Sequence, residues 1–241
     1  MIDYKILIPS YQRASKQATI ELLSTAYDKD DIIISTQNLE DYEAYKKKWG
    51  RLATIIYNAG ECVGDNRNTL LEYLCQQGIG KGIMLDDDIT GFMCHDRTII
   101  NDGIKVRQLL EASMSIAVKA GCSIFGAYPV PNAFFMNKKI VKNILIGTCF
   151  GILDTRLRFD REFRIKEDYE LCLRAMSCGR LVLRFNSFAP IAAHKTQGGC
   201  CDDWKEADII RYAKILAAAY PELCQLNKKR AGEIKFKKQK N

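Results

Sequence analysis

Short apolar runs alternate with longer stretches of mixed polarity along the first ninety residues. "YKILIPS" (4–10) predicts a strand ending at Pro9. "SKQATIELLSTAY" (15–27) predicts a helix with Ser15 as its N-cap. "DIIIS" (31–35) and "ATIIYN" (53–58) predict strands on either side of a charged helix, "LEDYEAYKKKW" (39–49). "VGDNRNTLLEYLCQQG" (63–78) predicts a turn entering a helix that stops near Gly78, and "GIMLDDD" (82–88) a fourth strand. Strands alternating with helices argue for a mostly parallel sheet with helices on both faces. Ligands of such sheets bind beyond the carboxyl ends of the strands. Three strands run there into polar clusters, "PSYQR", "NAGECVGDNRN" and "DDDI", which are expected to meet.

The second half is less regular. Residues 106–121 and 203–221 predict helices, and 123–130, 147–155 and 180–188 predict strands or extended pieces. "KEDYELCLRAMSCG" (166–179) opens on acids, which suit a helix N-terminus, and closes at Gly179.

Composition adds limits. At 47% hydrophobic and 27% charged, the 241 residues predict a globular chain with a sizeable core. No apolar run is long enough to span a membrane, and "MIDYKILIPSY" has no basic n-region or cleavage site. Membrane insertion is therefore not expected, and a cytoplasmic setting is. The ten cysteines follow no CxxC pattern, and Cys75, Cys122, Cys149 and Cys172 lie in apolar stretches. Reduced thiols acting as small hydrophobes are expected, rather than disulfides or zinc. Of the net charge of +7, residues 228–241 carry +6, so basicity is a property of the tail. Such a tail is either a solubilising disordered end or an arm drawn to phosphates.

Candidate chemistry gathers at four places. Asp86, Asp87 and Asp88 are adjacent carboxylates at a strand end. They are either simply solvated or are neutralised by a divalent cation such as Mg²⁺ or Mn²⁺, which bridges carboxylates to a diphosphate. Strand alternation would put Asp86 and Asp88 on one side and Asp87 on the other, leaving Asp87 the least important. Glu167 and Asp168 begin a helix, where they cap it or accept a proton as general base. His194 is either a structural histidine or part of a ligand site with the following "KTQGG", whose Lys195, hydroxyl and backbone N–H groups suit phosphate. Gly64 permits a tight turn, and Arg67 in the same "GDNRN" turn suits a phosphate or a base edge. Neither GxxxxGK[ST] nor GxGxxG is present, which weakens NTPase and dinucleotide readings.

Taken in order, "IPSYQRA", "GDNRN", "MLDDD", "F-x8-EDYELCLR-x4-G" (Phe159 to Gly179) and the late His194 resemble a GT-A glycosyltransferase over residues 4–199. They look most like the TET-associated glycosyltransferases of phages, which modify hydroxymethylated pyrimidines in DNA. The resemblance implies an α/β fold of GT-A type, a mostly parallel mixed sheet flanked by helices. Residues 1–227 would form one domain, with a Rossmann-like donor half (1–90), an acceptor half (91–227) and a basic tail (228–241). It implies a nucleoside-diphosphate sugar, such as a UDP-sugar, as donor. Pro9, Ser10, Tyr11, Arg13, Gln37, Asp65, Arg67, Asp86 and Asp87 would border its nucleotide, and Lys195 its diphosphate. Asp88 and His194 would hold Mn²⁺ or Mg²⁺. Asp168, beside Glu167, would be the base of an inverting displacement onto a hydroxyl acceptor, with DNA as the expected partner in a host cytoplasm. The chain departs from the usual pattern after the second strand, where "STQN" replaces an Asp. The competing functions are the same chemistry on a saccharide or protein, a nucleotidyltransferase, and a non-enzymatic nucleic-acid-binding module.

Overall fold

The computed structural model describes residues 3–192 and 205–237. Strands β1 (Lys5–Ser10), β2 (Ile32–Thr36), β3 (Thr54–Tyr57) and β4 (Gly82–Leu85) form the parallel half of an eight-stranded sheet. Helices α1 (Ala18–Leu23), α2 (Leu39–Trp49) and α3 (Val63–Gln76) connect them. The order continues through β9 (Cys149–Ile152), β7 (Ile124–Ala127), β10 (Val182–Phe185) and β8 (Ile140–Lys142). β9 is antiparallel to both neighbours, so β4, β7 and β10 point the same way. The result is a mixed, mostly parallel α/β sheet, as expected.

The β1 sequence explains its central place. Ile6 and Ile8 enter a core shared with α1, α2 and α4 (Gly103–Lys119), while Leu7 enters a second core with α3, α5 (Glu167–Ser177) and α6 (Glu206–Ala219). An unbroken apolar run is what a strand covered on both faces requires. β5 (Ile89–Cys94), β6 (Ile99–Ile100) and β11 (Phe188–Ala192) form a small separate sheet. No disulfide forms among the described residues; eight cysteines there are free thiols. No helix of the described residues is long and apolar enough to cross a membrane.

Three expectations are corrected. Helix α1 begins at Ala18, and Ser15 does not cap it. The preceding loop is tied instead to α2, since Trp49 Nε1 donates to Ala14 O (2.8 Å) and Lys48 Nζ to Ser15 O. β4 ends at Leu85, so strand alternation does not govern Asp86 to Asp88. Residues 228–241 are not wholly a separate tail. β13 (Ile234–Phe236) pairs with β12 (Cys224–Leu226), and its Ile234 and Phe236 pack against the second core. The basic residues around two apolar ones obscure that hairpin in the sequence.

Deleting residues 228–241 therefore removes packing as well as charge. Losing those two side chains is worth roughly 2–3 kcal/mol, and each kcal/mol lowers Tm by about 2–4 °C in a chain of this size. A thermal melt of the truncated protein is expected to show that fall; an unchanged Tm would mean the hairpin contributes nothing.

Candidate active site

The three polar strand ends meet. At the end of β1, the Ser10 hydroxyl is buried and contacts Asp87 Oδ2, Tyr45 OH (2.6 Å) and Gln17 Nε2 (2.6 Å). Arg13 Nη1 donates to Asp87 Oδ1 and lies 3.3 Å from Asp88 Oδ2. Asn66, in the first turn of α3, donates from Nδ2 to Ser10 O (3.1 Å). Thr19 stitches the turn after β4: its hydroxyl donates to Asp86 O (2.6 Å) and accepts from Ile89 N (2.9 Å). Asp87 is thus the buried centre of this corner and shares Arg13 with Asp88, so the expected placement of Asp87 opposite Asp86 and Asp88 does not hold. The turn, not a pleat, decides which carboxylate faces inward.

The second centre is Arg67, 4% exposed. Its Nη1 donates to Glu167 Oε1 (2.5 Å), and its Nη2 to Gly147 O (3.1 Å) and toward Asp86 Oδ1 (3.4 Å). Phe150 and Phe159 hold the guanidinium, their ring centres 5.6 and 5.5 Å away. Arg67 therefore bridges carboxylates rather than standing open to a phosphate. Asp168 accepts from Gly147 N (2.6 Å) and Tyr169 N (2.9 Å). Gly147 joins both contacts, and a Cβ there would lie 2.6 Å from Arg67 Nη2. Lys166, in the left-handed region at φ 63°, turns the chain into α5 and sets Glu167 and Asp168 inward.

Burial is the leading influence on these acids. It pushes Glu167 up to about 7 and raises its coupled neighbour Asp168, against the opposing pull of Arg67. Asp86 is raised for the same reason. A third of its side chain is nevertheless exposed to solvent, so protein crowds around the carboxylate without sealing it off. Burial also works against the charge of Arg67, but Glu167, Asp86 and Asp168 outweigh it and hold its pKa above the usual value.

Beside these acids lies a cavity of about 630 Å³, lined in part by Tyr11, Gln37, Cys62, Arg164, Arg211 and Tyr212. Gln37 Nε2 is buried without a hydrogen-bond acceptor in the protein. Pro9 is buried within β1, paired with Ser35. Asp65 closes the 58–62 loop: it accepts from Glu61 N (3.0 Å) and meets Arg161 Nε at 2.7 Å. His194 and Lys195 lie outside the described residues.

Sequence reasoning misses Thr19, Tyr45, Gly147, Arg161 and Arg164. Gly147 opens the run "GTCFGILDT", but nothing local says that its neighbour in space is an arginine eighty positions earlier.

Among the described residues, no group of three or more His, Cys, Asp or Glu side chains is arranged to hold a metal. The donor set still suits a hard cation. Asp86, Glu167 and Asp168 surround Arg67, and Asp87 and Asp88 share Arg13, so carboxylates outnumber guanidiniums here. Mg²⁺ is commonly held by one or two carboxylates completed by substrate phosphates and water.

A helix-flanked sheet with an acidic floor beside a nucleoside-sized cavity is the arrangement of a nucleotide-sugar transferase. The profile of the TET-associated glycosyltransferase family matches residues 4–199, and the chain belongs to that family. It is a glycosyltransferase. No curated protein matches the sequence. Among solved structures, it is similar to a proposed nucleotide-diphospho-sugar transferase from Desulfovibrio desulfuricans G20. That likeness has 9% identity and a TM-score of 0.49, covering 91% of this chain and 99% of the other. It is also similar to mannose-1-phosphate geranyltransferase from Thermus thermophilus (12% identity, TM-score 0.46, covering 79% and 76%). A third is 4-diphosphocytidyl-2C-methyl-D-erythritol synthase from Anaerococcus prevotii DSM 20548 (14%, 0.48, covering 80% and 91%).

Replacing Arg67 by Met strands Glu167 and Asp86 in a buried setting. Breaking one side of such a pair costs about 3–5 kcal/mol. The sign with pH follows from the raised folded pKa of Glu167. Its neutral form is tolerated below its ordinary 4.5, and stability falls as pH rises through about 7. R67M is expected to lose most, relative to wild type, above pH 7 and least near pH 4.5. Denaturant melts across that range check it; a pH-independent difference would contradict it.

Proposed function

We infer that this glycosyltransferase moves a sugar from a nucleoside-diphosphate sugar, such as a UDP-sugar, to the hydroxymethyl group of a 5-hydroxymethylpyrimidine in DNA. The reaction is metal-assisted and inverting. The observation that carries the catalytic part is the buried Glu167–Asp168 pair, whose basicity is raised and whose geometry is held by Gly147 and Arg67. The DNA acceptor rests on membership of the family and its resemblance to DNA-modifying members.

In this reading the nucleoside occupies the cavity lined by Tyr11 and Gln37. The diphosphate lies toward Asp86 to Asp88. By the family resemblance, Asp88, with His194 and Lys195 of the "HKTQGG" stretch, is the group that would hold a divalent cation and the diphosphate. Such a cation, when bound, neutralises charge on the leaving diphosphate. Asp168 takes the proton of the acceptor hydroxyl. The acceptor oxygen then forms its bond to the anomeric carbon from the face opposite the departing diphosphate. The C–O bond to the diphosphate breaks, and its electron pair leaves with the nucleoside diphosphate. The Gly147 and Tyr169 N–H groups keep Asp168 oriented, and burial, opposed by Arg67, raises its basicity. Asp87, Ser10 and Arg13 act by positioning the floor, since the Ser10 hydroxyl already has protein partners.

The direct test is to incubate the protein with hydroxymethylated DNA, Mn²⁺ and a panel of UDP-sugars, then analyse nucleosides by mass spectrometry. One donor is expected to give a hexose- or pentose-sized mass increase; no increase with any donor would count against the reading. D168N is expected to lower kcat by about 10²–10⁴ with little change in donor KM. The acidic limb of the wild-type kcat profile is expected above the ordinary carboxylate range, because activity requires the raised pair to ionise. A limb near pH 4, or a D168N variant of undiminished kcat, would remove Asp168 from the role of base.

A further inference from the structure

The loop from Tyr128 to Lys139 leaves the carboxyl end of β7. β7 runs parallel to β4 with only β9 between them, so the loop emerges about 10 Å along the sheet edge from Asp86. It displays apolar side chains that a solvated loop would not. Phe134 is 83% exposed and Phe135 60%, their rings edge to face at 5.0 Å; Val130 is exposed nearby. The display is built. Asn132 accepts from both Phe134 N (3.1 Å, through Oδ1) and Phe135 N (3.1 Å, through its carbonyl). Met136 is buried as an anchor, and Asn137 N and Lys139 O exchange hydrogen bonds with Asn186.

Charge completes the surface. No Asp or Glu stands between Glu111 and Asp154, while Lys119, Lys138, Lys139 and Lys142 do. Lys138, Lys139 and Lys142 are exposed and follow directly after the phenylalanines. The same segment runs on to Gly147, whose N–H holds Asp168 and whose carbonyl holds Arg67.

Resting on the DNA-acceptor reading, we propose that this loop is the acceptor-binding surface. Phe134 and Phe135 stack on unpaired bases of a DNA strand, Lys138, Lys139 and Lys142 hold its phosphates, and the strand delivers its hydroxymethylated base toward Asp168. Exposed aromatics interleaved with cations suit single-stranded nucleic acid, where each base offers a ring face and each linkage a negative charge. The continuity with Gly147 favours a substrate over a lipid surface.

The experiment compares wild type with F134A/F135A, F134W/F135W and K138A/K139A/K142A, using hydroxymethylated single-stranded and duplex oligonucleotides. Circular-dichroism melts and UDP titration calorimetry report whether fold and donor site are intact. F134A/F135A is expected to raise acceptor KM on the order of tenfold or more, at unchanged kcat, and F134W/F135W to restore it. The triple lysine variant is expected to flatten the salt dependence of single-strand affinity by ~2 in log–log slope. If wild type modifies DNA and the variants match it, the surface is refuted while the DNA reading stands. If wild type neither binds nor modifies DNA but transfers sugar to saccharides, the DNA reading fails and takes this partner with it. Phe-dependent binding to anionic vesicles without DNA binding would overturn the proposal in favour of a membrane.

Discussion

A buried guanidinium among carboxylates is the interaction around which the site is arranged. Arg67 comes from the helix after β3, Asp86 from the end of β4, Gly147 from the entry to β9, and Glu167 from the start of α5. Without that one cation, the acidic ends of two separate segments would repel one another in a poorly solvated place. With it, they remain under-neutralised, which keeps Glu167 and Asp168 more basic than surface acids. In the proposed mechanism, this arrangement would hold Asp168 ready to accept a proton, with residual negative charge available to a cation and a diphosphate.

The sheet supplies the rest. β1 to β4 bring their carboxyl ends to one edge, where Ser10, Asp87 and Arg13 join in one buried corner. The antiparallel β9 then carries the sheet on to β7 and β10, so the two halves of the chain share one sheet. The first half thus contributes the Ser10–Asp87–Arg13 corner, and the second the carboxylate pair and the lysine- and phenylalanine-bearing loop.

The first ninety residues are legible in the sequence because each strand there is an apolar run and each helix has its own period. α2 begins and ends at the predicted positions, and α5 starts one residue after its predicted opening at Lys166. β5 (ITGFMC) interrupts its apolar run with Thr90 and Gly91, and β6 and β8 are only two and three residues long, so all three escape such a reading. β13 is hidden among lysines, and its pairing with β12 depends on contacts to α6 rather than on propensity. At the site, residue types are legible but their orientation is not. A pleat extended through Asp86, Asp87 and Asp88 misjudges Asp87, because the strand stops at Leu85. Arg67 looks like a phosphate ligand, because sequence shows the charge and not the two carboxylates that fold against it.

The acidic floor between β4 and α5 is where the reacting end of a sugar nucleotide should lie. A crystal of the protein grown with a non-transferable UDP-sugar analogue and Mn²⁺, measured at the manganese absorption edge, puts this to the test. One anomalous peak is expected between the diphosphate and Asp88, with the nucleoside beside Tyr11 and Gln37 and the anomeric carbon on the Asp168 side. A nucleotide bound away from Asp86 to Asp88, or bound there with Asp168 facing neither sugar nor acceptor space, would contradict it.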